Sequence, residues 1–262
     1  MRRALVGLAV LVAAFGSVAS GQSDGGVFTG GLDPTGPISL QVQLCKLNPG
    51  QTMGDYEAML NDYFEWSRSN GAEATFARLT PMWTHGMPGE QPYDFVELLA
   101  LDHETTGTAW DKWLFTEDGA RLNATWQNVA TCSVKMTTAY TQWADVEAMN
   151  EDDERIATWN WCTRKPGVSL EQLVAKHRSI AANRVDAWGN IGWFVIVPQI
   201  GRGGAPGRFA HVWVYPNVAG LMSSQKWLDE GGASVRGDYT TSYATCTGEE
   251  AFIEEILNRP GD

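Results

Sequence analysis

The sequence predicts an α+β fold in which one βαββαβ unit occurs twice in tandem behind a cleavable export signal. Three observations carry this: a basic, then apolar, then small-residue N-terminus; two gap-free blocks of internal repetition; and four widely spaced cysteines that open and close the repeats. Met1-Arg2-Arg3 precede an apolar run from Ala4 to Phe15, and the small residues Gly16 to Ser20 follow. This is the pattern of a secretory signal peptide, cut near Ser20, and its apolar run is shorter than the roughly 20 residues a membrane span needs. Nothing later is long and apolar enough to cross a bilayer, so the mature chain is expected to be secreted or periplasmic with no membrane span.

Repetition defines the domains. Cys45-Lys46-Leu47-Asn48-Pro49-Gly50 matches Cys162-Thr163-Arg164-Lys165-Pro166-Gly167, and the same offset brings Ala58 onto Ala175 and Pro81 onto Pro198. After a short deletion in the second copy, Phe95 falls on Phe209, Lys112-Trp113-Leu114 on Lys226-Trp227-Leu228, and Ala130-Thr131-Cys132 on Ala244-Thr245-Cys246. The expected division is a signal peptide (1–20), a Gly-rich flexible leader (21–37), a first repeat (38–134), a linker (135–153), a second repeat (154–247) and a C-terminal tail (248–262). In the tail, Phe252, Ile253, Ile256 and Leu257 form an apolar side expected to dock on the second repeat.

Within each repeat the order reads β-α-β-β-α-β. On the first strand Ile38, Leu40, Val42 and Leu44 point one way and Gln41, Gln43 and Cys45 the other. Pro-Gly ends that strand in both copies, and Thr52 or Ser169 is placed to cap the first helix. Helical spacing of Met53, Tyr56, Leu60, Tyr63 and Phe64 is matched by Leu170, Leu173, Val174, His177 and Ile180. Two strands follow, 75–81 with 95–101 and 193–198 with 209–215, then one short helix holding Trp113 or Trp227, and a last strand ending in the second Cys. This order fits a ferredoxin-like split βαβ unit, in which the first and fourth strands are neighbours. That adjacency selects Cys45–Cys132 and Cys162–Cys246 from the three possible pairings.

A β-Pro-Gly-α opening in a tandem βαββαβ copy resembles the dimeric α+β barrel superfamily, which includes antibiotic-biosynthesis monooxygenases, NIPSNAP-like proteins and haem-degrading monooxygenases. The C-x-x-x-P-G opening and the closing A-T-C are also similar to exported bacterial proteins of unassigned function. The resemblance implies two domains packed sheet to sheet, here a pseudo-dimeric α+β barrel from one chain. Haem-degrading members carry an Asn on the first strand seven residues before a strand-ending Gly; Asn160 stands so to Gly167, while the first copy has Gln43. They also use a His on the second helix as iron ligand, and the matching segments 108–114 and 222–228 contain none.

Chemistry points to the second repeat. His177 lies on the apolar stripe of its helix where the first copy has Leu60, and His211 shares a strand face with Phe209, Trp213 and Tyr215 where the first copy has Glu97. Each His reads either as a hydrogen-bonded core group or as a base or ligand in a cavity. Trp159, Trp161, Trp193 and Trp213 have no Trp counterparts, and they either line an aromatic pocket or fill the core between sheets. The expected ligand site is therefore His177, His211, Asn160, Trp213 and Tyr215, with a small apolar or aromatic ligand. The alternatives are a cofactor-independent monooxygenase or isomerase using either His as base, and an interaction protein with no small-molecule site. No cofactor is expected. The cysteines are too far apart and the four histidines too scattered for a metal site. A formal net charge of −12 repels phosphate backbones, which argues against nucleic acid as a partner. The chain is expected as a monomer or weak homo-oligomer. Asn123-Ala124-Thr125 is a glycosylation sequon by pattern, and Gly201 to Gly207 reads as a hairpin loop, since it joins strand to strand and lacks the Lys-Ser/Thr of a phosphate loop.

Overall fold

The structure is a computed structural model that describes residues 36–86 and 91–261. The expected signal peptide and nearly all of the expected leader lie outside the described residues. Eight strands, β1 (Pro37–Leu47), β2 (Thr75–Trp83), β3 (Phe95–Leu101), β4 (Ala130–Ala144), β5 (Glu154–Arg164), β6 (Gly192–Ile200), β7 (Phe209–Tyr215) and β8 (Ala244–Asn258), form one closed antiparallel barrel in the order β1-β3-β2-β8-β5-β7-β6-β4. The helices are α1 (Met53–Asn70), α2 (His103–Phe115), α3 (Glu117–Val129), α4 (Val146–Glu151), α5 (Leu170–Ala182), α6 (Val218–Trp227) and α7 (Ala233–Ser242). The spatial order is β4-β1-β3-β2 in the first half and β8-β5-β7-β6 in the second. Pairing of β2 with β8 and of β4 with β6 closes the barrel and leaves no sheet edge unpaired.

The strands bury an inner face in the barrel and, beneath the helices, an outer face as well. Ile38, Leu40 and Val42 point into the barrel and meet Leu79, Val96, Ala157, Ile196, Val212 and Phe252 in one core. The opposite faces lie under helices: Phe76, Phe95 and Leu99 pack on Tyr56, Leu60 and Tyr63 of α1 and Trp126 of α3, while Trp193, Val195 and Phe209 pack on Leu173 of α5 and Tyr239 of α7. The local signals place these elements as expected. Thr52 with Asp55, and Ser169 with Gln172, form reciprocal capping boxes at α1 and α5. The turn after β1 and that after β5 need a positive φ, and Gly50 (+86°) and Gly167 (+84°) supply it.

Cys45 lies directly opposite Cys132 across β1 and β4, and Cys162 opposite Cys246 across β5 and β8; both pairs are bonded, and no cysteine is free. Two disulfides are the mark of a chain that folds in an oxidising environment. Among the described residues no helix is long and apolar enough to cross a membrane.

Three expectations change. The single helix after each β-hairpin is two helices. Thr116 caps α3 immediately after α2, and Gly119 lets the pair close, because a Cβ there would sit 2.4 Å from the Lys112 carbonyl oxygen. In the second half a π-turn over Leu228–Gly232, with Gly231 at φ +117°, divides α6 from α7. Residues 135–144 of the expected linker are the far end of β4, and residues 248–258 of the expected tail are the far end of β8. The tail reads as strand because Phe252 and Ile256 point into the barrel while Ile253 is largely exposed. It pairs with β2 of the first half as well as with β5. These long strand ends join the halves; the Thr-, Tyr- and Trp-rich end of β4 suits strand, as do Phe252, Ile253 and Ile256 in that of β8.

Candidate functional site

Both halves hold a cleft between the outer face of the sheet and the helices above it. In the second half the structure brings together the residues the sequence singled out. Asn160 of β5 faces His211 of β7 directly, and Trp213 and Tyr215 follow on the same face. These four line a cleft of about 120 Å³ with Trp188, Trp193, Trp227, Arg236, Tyr239 and Glu249. His177 is on the same side of the sheet, its ring 5.0 Å from that of His211, but it stands behind Tyr239 and does not line the cleft. Trp159 is in the barrel interior and Trp161 packs against that core, so this pair fills the space between sheets. Trp193 and Trp213 stack at 4.6 Å in the cleft.

The hydrogen bonds around His211 fix proton positions. An indole N–H can only donate, so Trp193 Nε1 donates to His211 Nδ1 at 3.1 Å, and the neutral ring must carry its proton on Nε2. His211 Nε2 then donates to Tyr239 Oη at 2.9 Å, and Tyr239 Oη donates onward to His177 Nε2 at 2.8 Å. The neutral state holds because burial lowers the pKa of both rings: His177 to about 4, and His211 well below its usual value, with a further push from His177. Asn160 is also committed. Its Oδ1 accepts the backbone N–H of Gly248 at 3.2 Å, where an extra residue in β8 shifts the β5–β8 register.

A stability consequence follows. Between pH 6.5 and about 4 the unfolded chain binds protons at both histidines that the folded chain does not. Their neutral packing is therefore without cost above pH 6.5, and stability is lost as pH falls toward 4. His177→Asn should flatten that acid slope by about 1.4 kcal/mol per pH unit, read as urea midpoints at pH 7, 6, 5 and 4.5. An unchanged slope would mean that His177 ionises freely in the fold.

The first half holds the larger cleft, about 550 Å³. Tyr63, Trp66, Trp110, Trp113 and Trp126 from α1, α2 and α3 make its walls, Leu99 and Cys132 belong to its sheet side, and Gln41 and Gln43 of β1 enter from the same sheet face. Among the described residues that line it there is no Asp, Glu, Lys, Arg or His. Gln43 is 5% exposed and its amide has no hydrogen-bond partner among the described residues, yet it is not sealed off as Trp66 Nε1 is. Glu97, on the same sheet face, is fully buried outside this cleft. It accepts from the Tyr56 hydroxyl at 2.6 Å and lies 3.7 Å from Arg78 Nε; burial pushes its carboxyl up to about 8 against the pull of those partners.

Sequence reasoning missed Tyr239 and the first cleft. Tyr239 sits in a helix of weak apolar periodicity, so nothing marked it. The signal for the first cleft was two Gln on a strand face that is otherwise buried, opposite helices carrying Trp110, Trp113 and Trp126.

No family model and no curated protein matches the chain. Solved structures do match in fold. A provisionally assigned monooxygenase of Fusobacterium nucleatum subsp. nucleatum superposes with a TM-score of 0.50 at 10% identity, covering 85% of this chain and 93% of that one. A provisionally assigned chlorite dismutase gives 0.50 at 12% identity, covering 84% and 96%. The chain thus has the dimeric α+β barrel fold, with both barrel halves supplied by one polypeptide.

The haem used by some proteins of this fold does not fit the residues present. Among the described residues no His lines the 550 Å³ cleft. In the second half His211 has both ring nitrogens bonded and His177 has Nε2 bonded, and 120 Å³ lies below the roughly 300 Å³ at which ligand pockets begin. Among the described residues no group of three or more His, Cys, Asp or Glu is placed to hold a metal ion.

Proposed function

We propose that this is an exported small-molecule-binding protein that holds a flat, uncharged, largely apolar ligand in the first cleft. The observation that carries the reading is that cleft's composition: about 550 Å³ walled by five aromatic side chains, with amides and, among the described residues, no charged group, in a chain of net charge −12. A charged ligand would find no counter-charge there, and general acid–base chemistry would find no ionisable pair. Export is supported by the N-terminal pattern and the two disulfides. Duplication of one ferredoxin-like unit, akin to the antibiotic-biosynthesis monooxygenases and NIPSNAP-like proteins, is supported by the matching strand orders and by matching pairs such as Gln43 opposite Glu97 and Asn160 opposite His211.

The second half, where the sequence placed the ligand, offers less room, and its amide and imidazoles are already engaged. A second reading, a cofactor-independent enzyme working in that cleft, is favoured by the polarised His211–Tyr239–His177 chain alone.

Native mass spectrometry of the protein purified from its own source tests the first reading. The wild type should carry a non-covalent neutral mass. Ala109→Phe, which fills the cleft from α2, should fold and lose it. No bound mass on the wild type, or equal occupancy of the variant, would contradict the assignment.

A further inference from the structure

We propose that the Trp110–Gln41 pair makes the first cleft selective for a flat neutral ring that carries a hydrogen-bond acceptor on its edge. The inference rests on the reading of that cleft as a ligand site and adds which chemistry the site selects. Gln41 and Gln43 alternate with Leu40 and Val42 on β1, so both amides stand on the helix-covered face, and both line the cleft. An amide can usually turn to offer either its oxygen or its nitrogen. Gln41 cannot, because Trp110 Nε1 donates to its Oε1 at 2.8 Å and an indole nitrogen never accepts. The turned-over amide would put two donors face to face. Gln41 therefore presents its NH₂ group, which has no partner among the described residues and is not sealed away, although the residue is only 8% exposed. A buried donor left open prefers a ligand that accepts, and a ligand edge that itself donates would meet it N–H to N–H.

The second half lacks this device. The equivalents of Gln41 and Trp110 are Thr158 and Ser224, and Asn160, the equivalent of Gln43, spends its oxygen on Gly248. The duplicated scaffold thus keeps an open amide pair on one side only.

Three probes of nearly equal shape separate the possibilities: quinoline (acceptor only), indole (donor only) and naphthalene (neither). Titrations at pH 8 by calorimetry should give quinoline about 5–10-fold tighter binding than naphthalene, the equivalent of one net neutral hydrogen bond, with indole weakest. Gln41→Leu should bring the quinoline-to-naphthalene ratio to near one. Trp110→Phe, which frees the amide to turn, should raise indole relative to quinoline, and it carries the same test if Gln41→Leu does not fold. Equal affinity of the wild type for all three probes overturns the selectivity and leaves the cleft reading in place. No binding of any probe, naphthalene included, overturns both.

Discussion

Replacing Cys45 and Cys132 together by Ser should lower the unfolding free energy by about 2–5 kcal/mol. The bond links residues 87 apart in sequence, and in the chain-entropy model closing a loop of that length removes conformations from the unfolded chain worth about 4–5 kcal/mol. The two residues already face each other across β1 and β4, so the bond holds an existing register. It also borders the proposed binding cleft. Cys132 is one of the lining residues, and its Sγ lies 3.4 Å from Trp126 Nε1, so the double variant should lose ligand affinity as well as stability. Guanidinium titration of the double variant beside the wild type measures the first effect, since reductant opens Cys162–Cys246 as well. A double variant that loses under about 1 kcal/mol would contradict it.

Glu97→Ala should cost about 1–3 kcal/mol in urea unfolding at pH 5.5, the penalty of leaving a buried hydroxyl unsatisfied. The carboxyl is fully buried, accepts the hydroxyl proton of the equally buried Tyr56, and lies 3.7 Å from Nε of the buried Arg78. Removing it leaves the buried Tyr56 hydroxyl without its acceptor, while Arg78 keeps its ion pair with the mostly exposed Glu57. Glu97→Gln separates hydrogen bonding from charge. It keeps an acceptor for Tyr56, so its cost should be far smaller. The wild-type carboxyl keeps its proton in the fold up to about pH 8 but loses it near 4.5 when unfolded. Its contribution is therefore complete below pH 4.5 and is lost as pH rises to 8. The cost of Glu97→Gln should accordingly shrink from pH 5 to pH 8. A cost that grows with pH would show that the carboxylate is ionised in the fold and held by Arg78.

Elements with a strong local signal were legible in the sequence. The alternation of Ile38, Leu40 and Val42 against Gln41, Gln43 and Cys45 gives both faces of β1, and the Thr52 and Ser169 caps start α1 and α5 where they are found. The cysteine pairing followed from strand adjacency alone. The set His177, His211, Asn160, Trp213 and Tyr215 does gather on one side of the sheet, because strand alternation and the helix stripe fix which face each occupies. What the sequence could not give is volume. Trp113 and Trp126 in the first half and Trp193 and Trp213 in the second have the same character, yet one group borders about 550 Å³ and the other about 120 Å³. A void is a small difference between large packed volumes, and in the second half Tyr239 is lodged against both histidines at the wall of the cleft. The long ends of β4 and β8 were hidden for another reason: their pairing partners lie in the opposite half, and no local pattern announces a partner so distant in sequence.

The central claim is that the first cleft, and not the second, holds the ligand. Indole-selective ¹⁵N NMR of the protein, which has twelve tryptophans, tests it most directly during titration with naphthalene. The N–H signals of Trp66, Trp110, Trp113 and Trp126 should move saturably, while those of Trp188, Trp193, Trp213 and Trp227 stay within line width. Movement of the second group with the first unmoved would contradict the account and return the site to the second half.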